Sequence, residues 1–192
     1  MGHTASSCSE ILPVDACLRS LAMHRDARGV FAEIFREEWA IGMSPVQWNM
    51  TKSQPGVLRG VHAHIWHDDY FVLLEGHALI GLQDLRKGSP TEGLSTIVEL
   101  VGDRCASLLI PHGVAHGFYF LAPSLHIYAV SEYWNVKDEL KCHWKDPHLT
   151  IRWPFESADL SEHDAHAGSF GEMADQIEPW RPTSVASSSE GF

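Results

Sequence analysis

From Tyr70 to Tyr133 the chain alternates short apolar, β-branched and aromatic runs with turn-forming residues. The runs are Tyr70–Leu74, Ala78–Leu85, Ser95–Leu100, Ala106–Ile110, Phe118–Leu121 and Leu125–Tyr133. The breaks between them include Glu75-Gly76, Lys87-Gly88-Ser89-Pro90, Gly102-Asp103 and Ala122-Pro123-Ser124. Runs of this length and composition predict strands, and their spacing predicts an all-β sandwich or barrel. The stretch VLRGVHAHIWHDDYFVLLEG over 57–76 extends the pattern upstream. Residues two apart in a strand share a face, so His62 and His64 present both imidazoles to one side. The Pro111-His112-Gly113 turn then feeds a further strand that carries His116.

Only short helices are expected. Ser161–His166 reads as one, with Ser161 as N-cap and Asp164 as an acidic residue three positions on. Phe35–Trp39 fits helix or strand equally. The polar, small residues 1–10 and the Ser-rich residues 183–192 read as flexible ends flanking one domain over 11–182.

Composition narrows the function. With 14 basic and 25 acidic residues the net charge is −11, and no Lys/Arg block is present. Nucleic acid and anionic membrane surfaces are therefore not expected partners, and an anionic small molecule would need local arginines. No apolar run approaches the length of a membrane span and no secretory signal is evident, so a cytoplasmic location is expected. Cys8, Cys17, Cys105 and Cys142 show no CxxC or paired spacing and read as reduced thiols.

The histidine-bearing segments resemble a known superfamily. Gly56, His62, His64, Asp69 and Gly76, followed by Pro111, Gly113 and His116, follow the two-motif spacing of the cupins, with Asp69 in place of Glu. Six ordered segments narrow the likeness. They are DARGVFAE at 26–33, VLRGVH at 57–62, DLRKGSPT at 84–91, IPHGVAHGF at 110–118, DP at 146–147 with IRWP at 151–154, and LSEHDA at 160–165. Together they resemble the dTDP-4-dehydrorhamnose 3,5-epimerase family over roughly residues 25–166.

That resemblance implies a jelly-roll cupin (double-stranded β-helix), a homodimer, and a nucleotide-linked 4-keto-6-deoxy sugar as substrate. It implies no required cofactor. A ketone at C4 acidifies the protons on C3 and C5, so the reaction needs a base on one face, a proton donor on the other, and a group that stabilises the enolate. By position, His62 is the base, Asp164 its carboxylate partner and Tyr128 the acid on the opposite face. Arg28 and Arg59 match residues that hold diphosphate and sugar, and Glu33, His116 and Trp134 match further positions lining the site.

Several positions depart from the family pattern. His64 stands where the family has Gln, Asp69 where it has Lys near the enolate, Ala129 where a Lys follows the catalytic Tyr, Trp134 where a second Tyr is found, and Ile80 where an Asp is usual. A carboxylate beside a developing enolate opposes it. Either a divalent metal (Fe, Mn, Ni, Cu or Zn) occupies a pocket of His62, His64, Asp69 and His116, or the chemistry differs. Three alternatives therefore stand beside the epimerase reading: a metal-dependent cupin isomerase or oxygenase, a dTDP-sugar 3,4-ketoisomerase, which RGVHAH at 59–64 resembles, and a non-catalytic sugar-binding cupin. His67, His112, His163 and His166 are expected on the surface or behind the site. Arg86 is expected to pair with Asp84; Trp66, Trp134, Trp144 and Trp153 could each stack on a base or sugar, although a buried aromatic is usually core.

Overall fold

The computed structural model describes residues 11–182; the expected flexible ends, 1–10 and 183–192, lie outside the described residues. The strands are β1 (Cys17–Ser20), β2 (Met23–Asp26), β3 (Gly29–Ala32), β4 (Gln47–Ser53), β5 (Leu58–His64), β6 (Asp69–Glu75), β7 (His77–Asp84), β8 (Ser95–Val101), β9 (Ala106–Ile110), β10 (Val114–Phe120), β11 (Ser124–Val130) and β12 (Glu139–Lys141). Two short helices follow, α1 (Glu162–Ala165) and α2 (Phe170–Ala174). One sheet has the order β1-β9-β6-β11-β4, the other β12-β5-β10-β7-β8, and β2-β3 form a separate hairpin. All strand pairs are antiparallel. This is the expected all-β cupin jelly roll.

The strands expected between Tyr70 and Ile110 form within a residue or two of the expected positions. β11 stops at Val130, short of Tyr133, and β10 begins at Val114. The short strands β1, β2 and β3 carry almost no buried side chain, so no alternation marks them in the sequence. Phe35–Trp39 resolves into a 3₁₀ turn over Glu37–Trp39, ended by Ala40 in the left-handed conformation. Ser161 caps α1 as expected, its hydroxyl accepting the Asp164 amide at 3.1 Å.

Apolar side chains fill three layers. Between the sheets lie Phe71, Leu73, Ile80, Leu82, Leu108 and Phe120. The outer face of the β5-containing sheet is covered by the C-terminal segment, where Leu58, Val61 and Ala63 meet Trp144, Ile151 and Met173. The outer face of the other sheet is covered by the N-terminal segment, where Tyr70 and Val72 meet Leu21, Ile34, Phe35 and Trp39. Central strands are thus buried on both faces, which is why Tyr70–Leu74 and Ala78–Leu82 read as continuous apolar runs. Gly81 sits where the covering segment crosses β7: a Cβ there would lie 2.6 Å from both Ile151 and Trp153.

Past the end of β7, Arg86 clamps Asp84 through two bonds of 2.9 Å and reaches the Val14 carbonyl at 2.7 Å. The hydroxyls of Ser89 and Thr91 donate to the same carboxylate at 2.7 Å each. Burial alone would raise the Asp84 carboxyl, but the Arg86 and hydroxyl bonds outweigh it and hold the group below its ordinary value. Its contribution to stability is therefore complete above the unfolded carboxylate value and is lost as pH falls through the lowered folded one. Arg86→Ala leaves this carboxylate buried without its counter-charge and is expected to cost roughly 3 kcal/mol in urea unfolding at neutral pH, with a smaller difference from the parent in acid. A change under about 0.5 kcal/mol, the scale of an ordinary surface substitution, would show that the clamp is dispensable.

Candidate active site

A cavity of about 470 Å³ opens between the two sheets. Gln47, Asn49 and Thr51 of β4, Asp69 and Phe71 of β6, and His126 and Tyr128 of β11 line one wall. Arg59, His62 and His64 of β5, His116 and Phe118 of β10, and Glu139 of β12 line the other, while Asp164 of α1 closes one end. Period-two alternation explains most of this set. Arg59 and His62 are three apart and would face opposite ways in a regular strand. The β5–β10 register steps from Gly60↔Gly117 to His62↔His116, so Val61 is an extra residue, and the bulge turns both side chains to the cavity. The strands meet closely at this point: Gly60 has φ +123°, and a Cβ on it would lie 2.8 Å from the Gly117 Cα.

The bulge aims His62 at α1. Its Nε2 lies 2.7 Å from Asp164 Oδ1, and because an ionised carboxylate only accepts, Nε2–H donates. Asp164 is buried, which would raise its carboxyl, yet the bonds from His62, Ser161 and the Gly60 amide hold it below the ordinary range. Nδ1 of His62 is left as the lone-pair nitrogen. On that side Glu139 Oε1 stands 3.8 Å away and is itself held by Lys141 at 3.2 Å.

A second group lies deeper. His64 Nε2 and His116 Nε2 stand 3.2 and 3.5 Å from the same atom, Asp69 Oδ2, and all three residues are buried. Burial would raise the Asp69 carboxyl, but the surrounding imidazoles, His64 foremost, hold it at about 2. Burial drives the His116 imidazole down to about 4. Behind His64, at 3.7 Å between ring centroids, His67 stacks and binds Asp138 through Nδ1. The other Asp138 oxygen accepts the Ile65 and Trp66 amides, which fixes the turn after β5.

Tyr128 faces His62's wall from the opposite sheet. Burial, then the charges of Asp69 and Glu139, raise its phenol, so it remains a proton donor through the neutral range. Arg59 is tethered by Ser53 at 3.0 Å, and His126 stacks on Phe71 and Phe120 with its imidazole lowered to about 4 by burial.

Known proteins share this fold. The sequence profile described as dTDP-4-dehydrorhamnose 3,5-epimerase matches residues 14–172. The chain belongs to this family. It is 35% identical over 140 residues to the spore coat polysaccharide biosynthesis protein SpsL of Bacillus subtilis, covering 71% of this chain and 93% of that one. Among solved structures it is similar to the dTDP-6-deoxy-D-glucose-3,5-epimerase of Legionella pneumophila in complex with dTDP-4-keto-L-rhamnose, with 33% identity, TM-score 0.79, and coverage of 87% and 94%. It is also similar to ChmJ, a 3'-monoepimerase from Streptomyces bikiniensis in complex with dTDP-quinovose, with 28% identity, TM-score 0.79, and coverage of 87% and 90%.

Within this family frame, the residues expected from sequence fall into three groups. His62, Asp164, Tyr128, Arg59, His116 and Trp134 meet at the one cavity. Trp134 stands at the rim, its indole donating to Glu139 at 2.9 Å. Arg28 and Glu33 are elsewhere: Arg28 occupies the exposed β2–β3 turn, its side chain 90% exposed and paired with Asp26, and Glu33 pairs with Arg36 at 3.0 Å. The expected four-residue metal pocket is also corrected. His62 is drawn away by Asp164, and of the four expected residues His64, Asp69 and His116 have ligand atoms that converge, while His64 also converges with His67 and Asp138. His67 is fully buried behind His64, whereas His112 is half exposed and bonded to Asp68.

Glu139, Lys141, His126 and Asp138 were not anticipated. Glu139 and Lys141 belong to a strand of three residues, too short for its single alternation to be read as a strand. His126 lies in a predicted strand two residues from Tyr128, and that shared parity was the available signal. Gly60→Ala is expected to destabilise the fold by about 1–3 kcal/mol through overpacking and to disturb the His62–Asp164 bond. A low-field imidazole proton seen by NMR in the parent should weaken or vanish in the variant; an unchanged signal would show that the bulge does not set the dyad.

Proposed function

We propose that the chain epimerises a nucleotide-linked, dTDP-type 4-keto-6-deoxy sugar by removing and returning a proton beside the ketone. The observation that carries this reading is the pairing of His62 with Asp164 on one wall and Tyr128 on the other, across one cavity. With Nε2–H held by Asp164, the neutral imidazole carries its lone pair on Nδ1, and that atom takes the α-proton. Asp164 stabilises the imidazolium that forms. Tyr128, approaching from the other sheet, returns a proton to the opposite face, which inverts the centre. Arg59 supplies a guanidinium for diphosphate or sugar oxygens in a chain that is otherwise acidic.

We also propose that the enzyme is a cytoplasmic homodimer built on one domain over residues 11–182. The β2–β3 hairpin supports the dimer: it leaves Val30 and Phe31 exposed, with Arg28 at its tip. A second copy covering this hairpin would bring Arg28 and Glu33 towards a cavity that they do not reach in their own chain. Phe31→Asp is expected to shift the mass measured by light scattering from dimer towards monomer and to raise KM. A parent protein that is monomeric at working concentrations would refute the arrangement.

Incubation with a dTDP-4-keto-6-deoxyglucose in deuterated water tests the chemistry. His62→Ala should abolish exchange, and Asp164→Asn should slow it by roughly 10²-fold, the scale of an acid-base group. Tyr128→Phe should allow abstraction but impair inversion. Trp134, whose indole N–H is already bonded to Glu139, adds no second acid. Deuterium is therefore expected at C3 before C5. Full exchange in His62→Ala would sink the assignment, and equal uptake at both carbons would contradict the single-donor array.

A further inference from the structure

We infer that His64, Asp69 and His116 form a binding site for one divalent transition-metal ion. Three donor atoms from three strands, β5, β6 and β10, face a common point, and the site is distinct from the His62–Asp164 pair. The separations from Asp69 Oδ2 are 3.2 Å to His64 Nε2 and 3.5 Å to His116 Nε2. Donors bound at about 2.1 Å to one ion, at angles between right and tetrahedral, stand roughly 3.0–3.4 Å apart. The Asp69–His64 edge falls in that range, the Asp69–His116 edge lies just beyond it, and the three ligand atoms are all within 4.8 Å of one another.

The decisive atom is His116 Nε2. Its ring partner Nδ1 lies 3.1 Å from the Val114 carbonyl, an acceptor only, so Nδ1 carries a hydrogen and, in the neutral ring, Nε2 presents its lone pair. That lone pair faces a carboxylate oxygen which, although buried, has no hydrogen-bond partner among the described residues. Two lone pairs pointed at each other in a buried site repel unless a proton on His116 or a metal ion lies between them. A proton on His64 would serve the His64–Asp69 edge but not the His116–Asp69 edge. One metal ion serves all three.

The surroundings fit a metal as well. A ligating imidazole whose other nitrogen donates to a backbone carbonyl is the usual way a metal-binding histidine is oriented. His67, stacked on His64 and held by Asp138, fixes the second ring. Two imidazoles and one carboxylate select a borderline ion such as Zn²⁺, Fe²⁺ or Co²⁺ over Mg²⁺ or Ca²⁺, and three protein donors leave positions open to the cavity. If the epimerase reading holds, those positions lie where a substrate oxygen could bind. The site itself does not depend on that reading.

The test uses Co²⁺ as the probe and no sugar, so its result is separate from that of the exchange experiment. Protein freed of metal by chelator dialysis is titrated with Co²⁺ and followed by visible ligand-field absorption, with CD recorded in parallel. The expected result is saturation at one ion per chain, an intense band pattern of low-symmetry coordination, and a metal-dependent rise in Tm. His116→Gln and Asp69→Asn should weaken binding at least 100-fold, whereas His62→Asn should retain it. The carboxamide introduced by Asp69→Asn can donate to His116 Nε2, so this variant should fold in the absence of metal, which separates loss of binding from loss of structure. Absence of saturable binding in the parent, or equal binding in folded Asp69→Asn, would overturn the site. So would binding abolished by His62→Asn and retained by His116→Gln.

Discussion

The hydrogen bond between His62 and Asp164 is the contact on which the organisation of the site depends. It joins a strand in the middle of one sheet to a helix of a single turn 102 residues later. So short a helix has little stability of its own. α1 is held by its Ser161 cap, by burial of Asp164, and by the Gly60 amide and His62 ring that Asp164 accepts from. The dependence runs in both directions. Without Asp164 neither the tautomer nor the direction of the His62 ring would be set, and without the bulge at Val61 the ring would not share a face with Arg59.

That arrangement also accounts for the separation of two chemistries that the sequence places side by side. His62 and His64 share a strand face, and parity alone would pool them with Asp69 and His116 in one cluster. The structure divides them by the partner each finds: His62 is drawn outward to α1, while His64 turns inward against Asp69 with His67 packed behind it. One group is an imidazole–carboxylate pair held against α1. The other is a buried convergence of lone pairs. Spacing within a strand specifies the face, but the choice of partner along that face belongs to tertiary contacts made by β12 and α1.

Much of the fold was legible because its central strands are long, buried and bounded by Gly, Pro and Asp. Those from Tyr70 to Ile110 were readable by composition, and the cap at Ser161 by its residue type and the acidic residue at Asp164. The short strands β1 to β3 were not, since their side chains stay exposed and impose no period on the sequence. The helix α2 carries a full capping box between Ser169 and Glu172, a signal that the Ser-x-x-Glu spacing already held. Of the site, the residues on long strands were recoverable by parity and family position, whereas Glu139 and Lys141 were not, because β12 is defined only by pairing with β5. Arg28 is a different case. The likeness to the family singles out the residue, but in its own chain it lies on an exposed turn, paired with Asp26.

The departures from the family pattern acquire a physical meaning once their neighbours are known. Asp69 in place of Lys would be destructive if it stood alone beside an enolate. It does not stand alone: His64, itself a departure, and His116 both aim Nε2 at the same oxygen, and His67 approaches the other oxygen at 3.9 Å. A carboxylate with so many nitrogen neighbours stays ionised despite full burial, which is the condition required of a group that is to hold a cation rather than repel an anion. Asp69 and His64, the two positions where the family likeness leads one to expect Lys and Gln, are thus direct partners in this structure. Together they put a negative cradle where that likeness leads one to expect a positive side chain, and such a cradle suits a cation rather than an anion.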